Sequence, residues 1–538
     1  MKAKRLRRWV AIPAVLALAM TACSSGEDSA PTTEVSDGSE ATGDGSETDT
    51  PDEPDDNADG PVAGGDLVIA TGGTATTLDP HRYRADPELI RLQQMYDTLV
   101  DYSLDDYSLE PRLAESWEIS EDGLTVTLNL RPGVVFHDGS DLTAEDVVFS
   151  IDRARDPASD ELAPLLTAIA DVTAVDDGTV ALTLSAPDRS ILQGLVKVYI
   201  VQADPDADYD NAPNGTGPFM LQEWNRNENI VFVKNESYWA DGLPYLDSVT
   251  FNVVPEANTQ ILQLTNGEID MIAPSVSFSN VEGLQNEGMQ LPVSEGGVYD
   301  LRLNTRVEPW SDVRVRQALS HAIDREAIQT ALFGFSTIRS TIVPPEDELF
   351  NPDAMTFNEQ DQDEARRLLQ EAGYGDGEVT GTIMVHADLG PQYTLIAQLV
   401  AAAAAEVGIT LEIESMDIGT WLERFYENMD FTIGHSAATF EPYAYAQVSE
   451  GWDQSDGASM GWIESQPDVR ALMDEAPSIV DDAEYREALF EIQARGQEDQ
   501  ARIVLGGVLK GPALQPNIQG FTADPLSRLF LTSVWIDE

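Results

Sequence analysis

Five histidines, at positions 81, 137, 321, 386 and 435, and one cysteine, Cys23, are the residues through which nucleophilic or metal chemistry would run. Gly434-His435-Ser436-Ala437-Ala438 carries the serine of a Gly-x-Ser-x-Gly elbow but lacks its last glycine. No histidine follows Ser436 to serve as its base. No two histidines have zinc spacing. Asp204, Asp206, Asp208 and Asp210 alternate like the start of a calcium loop. Tyr209 stands where such a loop needs glycine, and Gly215 where it needs a closing glutamate. A nickel or metal-chelate site would need His81, His386 or His435 to converge. The expectation is a protein that is not an enzyme, with no catalytic residue, no resident metal and no cofactor.

Aromatic side chains suggest binding instead. Phe440, Tyr443, Tyr445, Trp452 and Trp462 gather near Glu441. Such rings supply contact area at modest entropic cost and suit sugars, drug-like solutes or peptide side chains.

The elements that must position them read as mixed α and β. Leu67–Ile69 follows Gly64-Gly65 as a buried strand. Leu124, Val126, Leu128 and Leu130 alternate with polar residues, as do Val180, Leu182 and Leu184. Ile230 with Phe232, and Val249, Phe251 and Val253, repeat the pattern. Thr143 with Asp146, and Asp361 with Glu364, are helix starts. Gly373 ends the second of these helices. A strand at Ile383 and Val385, a helix from Ile396 to Val407 closed by Gly408, and a strand at Ile409–Ile413 form a strand–helix–strand unit, which favours parallel pairing. A late helix through Tyr485, Ala488, Leu489 and Ile492 is expected to stop at Gly496.

The N-terminus sets the expected compartment. Lys2, Lys4, Arg5, Arg7 and Arg8 precede an uncharged stretch, Trp9–Met20, too short to span a bilayer. Met20-Thr21-Ala22-Cys23 then resembles a bacterial lipobox, in which the cysteine becomes the lipid-modified first residue. Arg7-Arg8 leaves general or twin-arginine export open. Residues 24–64 are small, polar and acidic, without lysine or arginine, and read as a disordered tether. With no other cysteine, the folded part must hold by packing alone. The net charge is −64, which argues against nucleic acid and anionic membrane surfaces as partners. It resembles the acidic, ion-screened surfaces of proteins from salty habitats.

Leu78-Asp79-Pro80, Leu113-Ala114-Glu115-Ser116-Trp117-Glu118, Leu130-Arg131-Pro132-Gly133, Phe136-His137-Asp138-Gly139, Gly215-Thr216-Gly217-Pro218-Phe219, Asn266-Gly267-Glu268-Ile269-Asp270, and Asp312 to Leu319 follow one another along the chain. In that order they resemble segments of the extracytoplasmic solute-binding proteins of peptide/nickel ABC importers, the family 5 solute-binding lipoproteins. The resemblance covers about residues 65–538. It implies an α/β, periplasmic-binding-protein-like fold (type II, cluster C): two lobes and a hinge, with an extra subdomain inserted in lobe one. Carried over, 1–22 is the signal peptide and 23–64 the lipidated cysteine and tether. Lobe one is 65–98, 213–298 and 506–538, the insertion 99–212, and lobe two 299–505.

The resemblance further implies capture of a solute, a peptide by default, between the lobes and delivery to an ABC permease with its ATPase. It implies a monomer on the outer face of the cell membrane, held by Cys23. The alternatives are a non-peptide solute (glycoside, opine-like or metal chelate) or a binding module for a surface sensor. Ligand-lining stretches of the family fall on Tyr83 and Arg84, and on His435, Thr439, Phe440, Glu441, Tyr443 and Trp462. The family's aspartate for a peptide's amino terminus falls on Ala438, which cannot pair with an ammonium.

Overall fold

The computed structural model describes residues 60–537, apart from 84–85, 105, 160, 440–442 and 453–465. Cys23 and residues 24–59 lie outside the described residues, and at the end of the expected tether Gly64 donates its N–H to the Tyr245 carbonyl at 2.8 Å. Those residues contain no helix long and apolar enough to cross a membrane.

Two six-stranded sheets form the two lobes. In the first, Asp66–Thr71 lies parallel to both Ser248–Val253 and Met271–Ile272. Asn229–Lys234 and Phe219–Asn225 extend one side antiparallel, and Ala513–Leu514 closes the other. The alternation read from sequence is real here: Leu67, Ile69, Val249 and Phe251 are all fully buried. In the second sheet, Val379–His386 runs parallel to Ile409–Met416 and to Ile433–Thr439. The helix Pro391–Glu406 connects the first two of these, which is the expected strand–helix–strand unit. Ser294–Leu303, Arg502–Lys510 and Ser336–Thr337 complete that sheet antiparallel.

A third, four-stranded antiparallel sheet falls, along the chain, between two strands of the first. It is built from Ala114–Ile119, Thr125–Leu130, Thr179–Leu184 and Ile169–Asp176. Val147 and Ile151 of the helix Ala144–Ala154 pack on its buried face. That helix starts as the sequence predicts: the Asp146 carboxylate accepts from the Thr143 main-chain N–H and hydroxyl, both at 2.8 Å. Asp361 likewise accepts from the Glu364 N–H at 2.9 Å, and Gly373 closes that helix at φ +90°.

One expected boundary is corrected. The late helix runs Asp482–Asp499, through Gly496, and ends at Gln500 in the left-handed region. Gly496 is there for space: a Cβ would collide with the Trp452 ring.

The shared motifs pack on one another. Gly217 donates its N–H to the Met95 carbonyl at 2.9 Å. A Cβ on Gly215 or Gly217 would collide with the Met95 backbone. His137 donates its main-chain N–H to the Gly215 carbonyl at 2.8 Å. Asp79 grips Arg153 through both carboxylate oxygens, at 2.7 and 2.5 Å. Asp97, buried, accepts from Arg112, Thr216, Tyr238 and Trp239 at 3.0–3.2 Å. These residues join the third sheet to the first lobe.

Gly217→Ala is therefore expected to cost about 3 kcal/mol of stability, at the upper end for overpacking a close backbone approach. Urea unfolding at fixed high salt measures it; a midpoint equal to wild type would contradict this account.

Candidate functional site

Two stretches of chain cross between the lobes, and they pair with each other. On the first-lobe side, Gln290 and Leu514 exchange two main-chain hydrogen bonds of 2.9 Å each. On the second-lobe side, Ser294 faces Lys510 and Glu295 faces Leu509. The register slips between Glu295 and Val298, at Gly296-Gly297. A Cβ on Gly296 would collide with the Pro525 carbonyl, and one on Gly297 with the Ala438 carbonyl. These glycines let the crossing strand, the end of Ile433–Thr439 and the C-terminal segment meet at one place.

Polar groups surround that meeting point. Glu295 pairs with Arg339 at 2.6 Å and accepts from the Thr337 hydroxyl. Arg528 holds Asp101 at 2.6 Å and Asp524 at 2.8 Å. Burial, reinforced by the nearby Glu295 and Glu346 carboxylates, pushes the Tyr107 phenol up. The sequence offered no sign of these pairings, since Asp101 and Arg528 stand 427 positions apart.

Three of the expected contact residues stand around this place. Tyr83 is half-buried and packs against both the first-lobe core and that of the four-stranded sheet. Tyr443, from the second lobe, packs on the four-stranded sheet's core and stacks with Tyr102, ring centroids 6.3 Å apart and planes at 22°. Thr439 is exposed, opposite Gly297. Arg84, Phe440, Glu441 and Trp462 lie outside the described residues.

The expectation for His435 is corrected. Its ring is fully buried, and Nδ1 donates to the Asp300 carbonyl oxygen at 2.8 Å. The strand that carries it is covered on both faces as far as Ser436, so alternation gives neither side an outlet. The Asp300 carboxylate binds Arg302 at 3.2 Å and Arg502 at 2.5 Å, all three buried. Two neighbouring aromatics are also core groups: Trp452 is buried against Gly496, and the Tyr445 hydroxyl donates to the Met473 carbonyl at 3.3 Å.

Farther from the crossing strands, Arg189 of the inserted segment reaches the second lobe. Its main-chain N–H donates to Pro477 O at 2.9 Å, and its guanidinium to Ile479 O at 2.6 Å, to Val480 O, and to Asp482 at 2.6 Å. It also lies 4.6 Å over the Tyr485 ring. Beside it is a cavity of about 650 Å³ between the four-stranded sheet and the second lobe.

The histidines do not converge. His386 and His435 flank the Tyr393 ring, at 5.4 and 5.5 Å. His81 sits in another core, donating to Tyr199 O at 2.8 Å. Asp210 caps the Leu78 loop, accepting from the Thr77 hydroxyl and the Leu78 N–H at 2.8 Å each. Among the described residues no group of three or more His, Cys, Asp or Glu is arranged to hold a metal ion.

Burial lowers His81, His137 and His435 to about 4 each, from 6.5. Above pH 6.5 these imidazoles are neutral in both states. As pH falls from 6.5 towards 4 the unfolded chain takes up protons first, so stability falls, on the order of 3 kcal/mol for each, and then levels. Asp347, pushed up to about 6 by burial, opposes this, as do Asp97, Asp270 and Asp499, also raised by burial, while the lowered His321 and His386 add to the fall. Urea midpoints at constant salt should therefore drop between pH 7 and pH 4.5; a flat profile would refute the buried-neutral assignment.

Comparison with known proteins places this geometry. Residues 108–456 match the family described as bacterial extracellular solute-binding proteins, family 5. A glutathione-binding protein of Shigella flexneri is 33% identical over 365 residues, covering 66% of this chain and 70% of the relative. Heme-binding protein A of Haemophilus influenzae is 29% identical, over 80% of this chain and 85% of the relative. The structure of the periplasmic binding protein DppA from Helicobacter pylori, in complex with the peptide STSA, is 26% identical with a TM-score of 0.65, covering 89% of this chain and 99% of that one. HbpA2 from Haemophilus parasuis gives 25% identity and a TM-score of 0.76, over 88% and 100%. With its two α/β lobes, paired crossing strands and ordered motifs, the chain belongs to the family 5 bacterial extracellular solute-binding proteins, the substrate-binding components of ABC importers.

Proposed function

We propose that this protein captures a peptide between its two lobes and hands it to an ABC permease. Cys23 carries the lipid that holds it at the outer face of the cell membrane, and residues 24–64 are the tether. It works as a monomer, without cofactor or catalysis. The observation that carries this reading is the placement of Tyr83, from one stretch of the chain, and of Thr439 and Tyr443, from another, beside crossing strands that hydrogen-bond to each other. Such strands allow a hinge motion that a ligand biases by binding the closed state better.

The choice of peptide is supported by two of the relatives. One is named for glutathione, itself a tripeptide, and one structure holds a four-residue peptide. Tyr83 and Tyr443 offer flat faces to side chains, and Thr439 offers a strand end to which an extended main chain can add. The contact set is Tyr83 and Arg84 from one side and Thr439, Phe440, Glu441, Tyr443 and Trp462 from the other. His435 acts from behind, by fixing the strand that ends at Thr439.

The test is mass spectrometry of small molecules released by denaturing the mature chain, purified in high salt. The expected result is a set of peptides of mixed sequence, reduced several-fold in Tyr443→Ala. A single dominant non-peptide mass would overturn the peptide reading. Separately, Cys23→Ala should release the protein from membranes; retention would overturn the anchor.

A further inference from the structure

The cavity beside Arg189 has an unusual wall. Trp117, Ile119, Leu349, Tyr443 and Val480 give it an apolar lining. Ile119 and Val480 are 49% and 42% exposed, large for branched aliphatics. Into this lining is set one acid, Asp347, which is only 8% exposed. One of its oxygens accepts from the Leu349 N–H at 2.8 Å. No ion pair reaches it among the described residues. Arg486, the cation that acts on it electrostatically, donates instead to the Glu348 carbonyl at 2.6 Å. Arg189, the other cation lining the cavity, is engaged with the 477–482 segment. The remaining charged lining residues are carboxylates, Asp188, Asp482 and Glu121 among them.

A buried carboxylate without a cation is costly, and the cost is removed when a cation arrives with hydrogen bonds to give. Burial already holds Asp347 at about 6, so at neutral pH it is mostly ionised, with Arg486 acting on it only at a distance. The space of about 650 Å³ lies within the range of small-ligand pockets, roughly 300–1,000 Å³. Its walls come from two different bodies, the four-stranded sheet with the inserted segment and the second lobe. Filling it would therefore cement those bodies together.

We propose that this cavity is a ligand compartment for an organic amine borne on an apolar or aromatic body, with the ammonium against Asp347 and the body against Trp117, Ile119 and Val480. The proposal rests on the solute-binding reading above and names the chemistry of the solute it selects. The amine is either the amino terminus of a peptide or a free small amine; both present the same group to Asp347.

The experiment is affinity selection of four defined probes on the mature chain in high salt, read by mass spectrometry after rapid gel filtration. The probes are the tripeptide Phe-Ala-Ala, its N-acetylated form, phenethylamine and 3-phenylpropionate. Wild type should retain an amine-bearing probe at least ten-fold over its amine-free counterpart. Retention of the tripeptide identifies a peptide terminus, and retention of phenethylamine a small amine. Asp347→Asn is nearly isosteric and keeps the Leu349 hydrogen bond, so it should fold and bring that preference close to parity. Val480→Trp should abolish retention by filling the space, with an unchanged circular dichroism spectrum. A preference that survives in Asp347→Asn, or retention unaffected by Val480→Trp, overturns this inference while leaving the solute-binding reading standing. A wild type that retains no probe, but releases bound molecules lacking amines on denaturation, overturns the inference and the choice of peptide, and leaves solute binding itself standing. A wild type that neither retains nor releases anything overturns both.

Discussion

The structure depends on two strands that leave one lobe, pair with each other, and enter the next. Because Gln290 and Leu514 bond reciprocally on one side and Ser294 and Lys510 face each other on the other, the crossing is a narrow two-stranded ribbon. A ribbon bends and twists with little loss of hydrogen bonding, whereas the cores on either side are close-packed and resist deformation. Motion is thereby concentrated at the crossing. Gly296 and Gly297 sit where the ribbon enters the second sheet, at the register slip, and side chains there would meet carbonyls of two other segments. In the proposed binding mode the hinge and the binding face share these residues, so the position of one lobe would set the geometry seen by a solute.

Charge is distributed with a matching logic. The chain is strongly acidic, with 95 acids against 31 basic residues, yet several of its arginines are inside. Arg325 is buried and directs its guanidinium at the carbonyls of Val504, Ser320 and Phe357. Arg502 and Arg302 converge on Asp300, and Arg528 on Asp101 and Asp524. The planar fork of arginine satisfies several acceptors at once, which suits interior work better than an ammonium.

Much of this could be read in the sequence. Alternating strands such as Thr125–Leu130, the caps at Asp146 and Asp361, and the unit from Val379 to Met416 follow from local pattern, and local pattern is what governs them. The ordered motifs gave the family, because their residues pack on one another, as Gly217 does on Met95. The misreadings have one cause. Gly496 looked like a stop but is a gap for Trp452, and His435 looked like a cleft residue but lies in a strand covered on both faces. Each is decided by a partner distant in sequence. Asp347 and Arg189 gave no signal for the same reason: a lone carboxylate and a lone guanidinium acquire meaning only from what tertiary structure sets opposite them.

The grip of Arg189 on the second lobe has an evolutionary consequence. Apart from Asp482, its acceptors are the carbonyl oxygens of Pro477, Ile479 and Val480. A carbonyl is supplied by any amino acid, so the 477–480 stretch can drift in side-chain identity without releasing the arginine. The contact is thus fully exposed to mutation from one side and nearly shielded from the other. Descendants of this protein are free to rewrite the second lobe's surface, and with it the walls of the neighbouring cavity, while keeping the same docking of the two bodies. If that cavity takes a ligand as proposed, its selectivity can change without a matching change in mechanics.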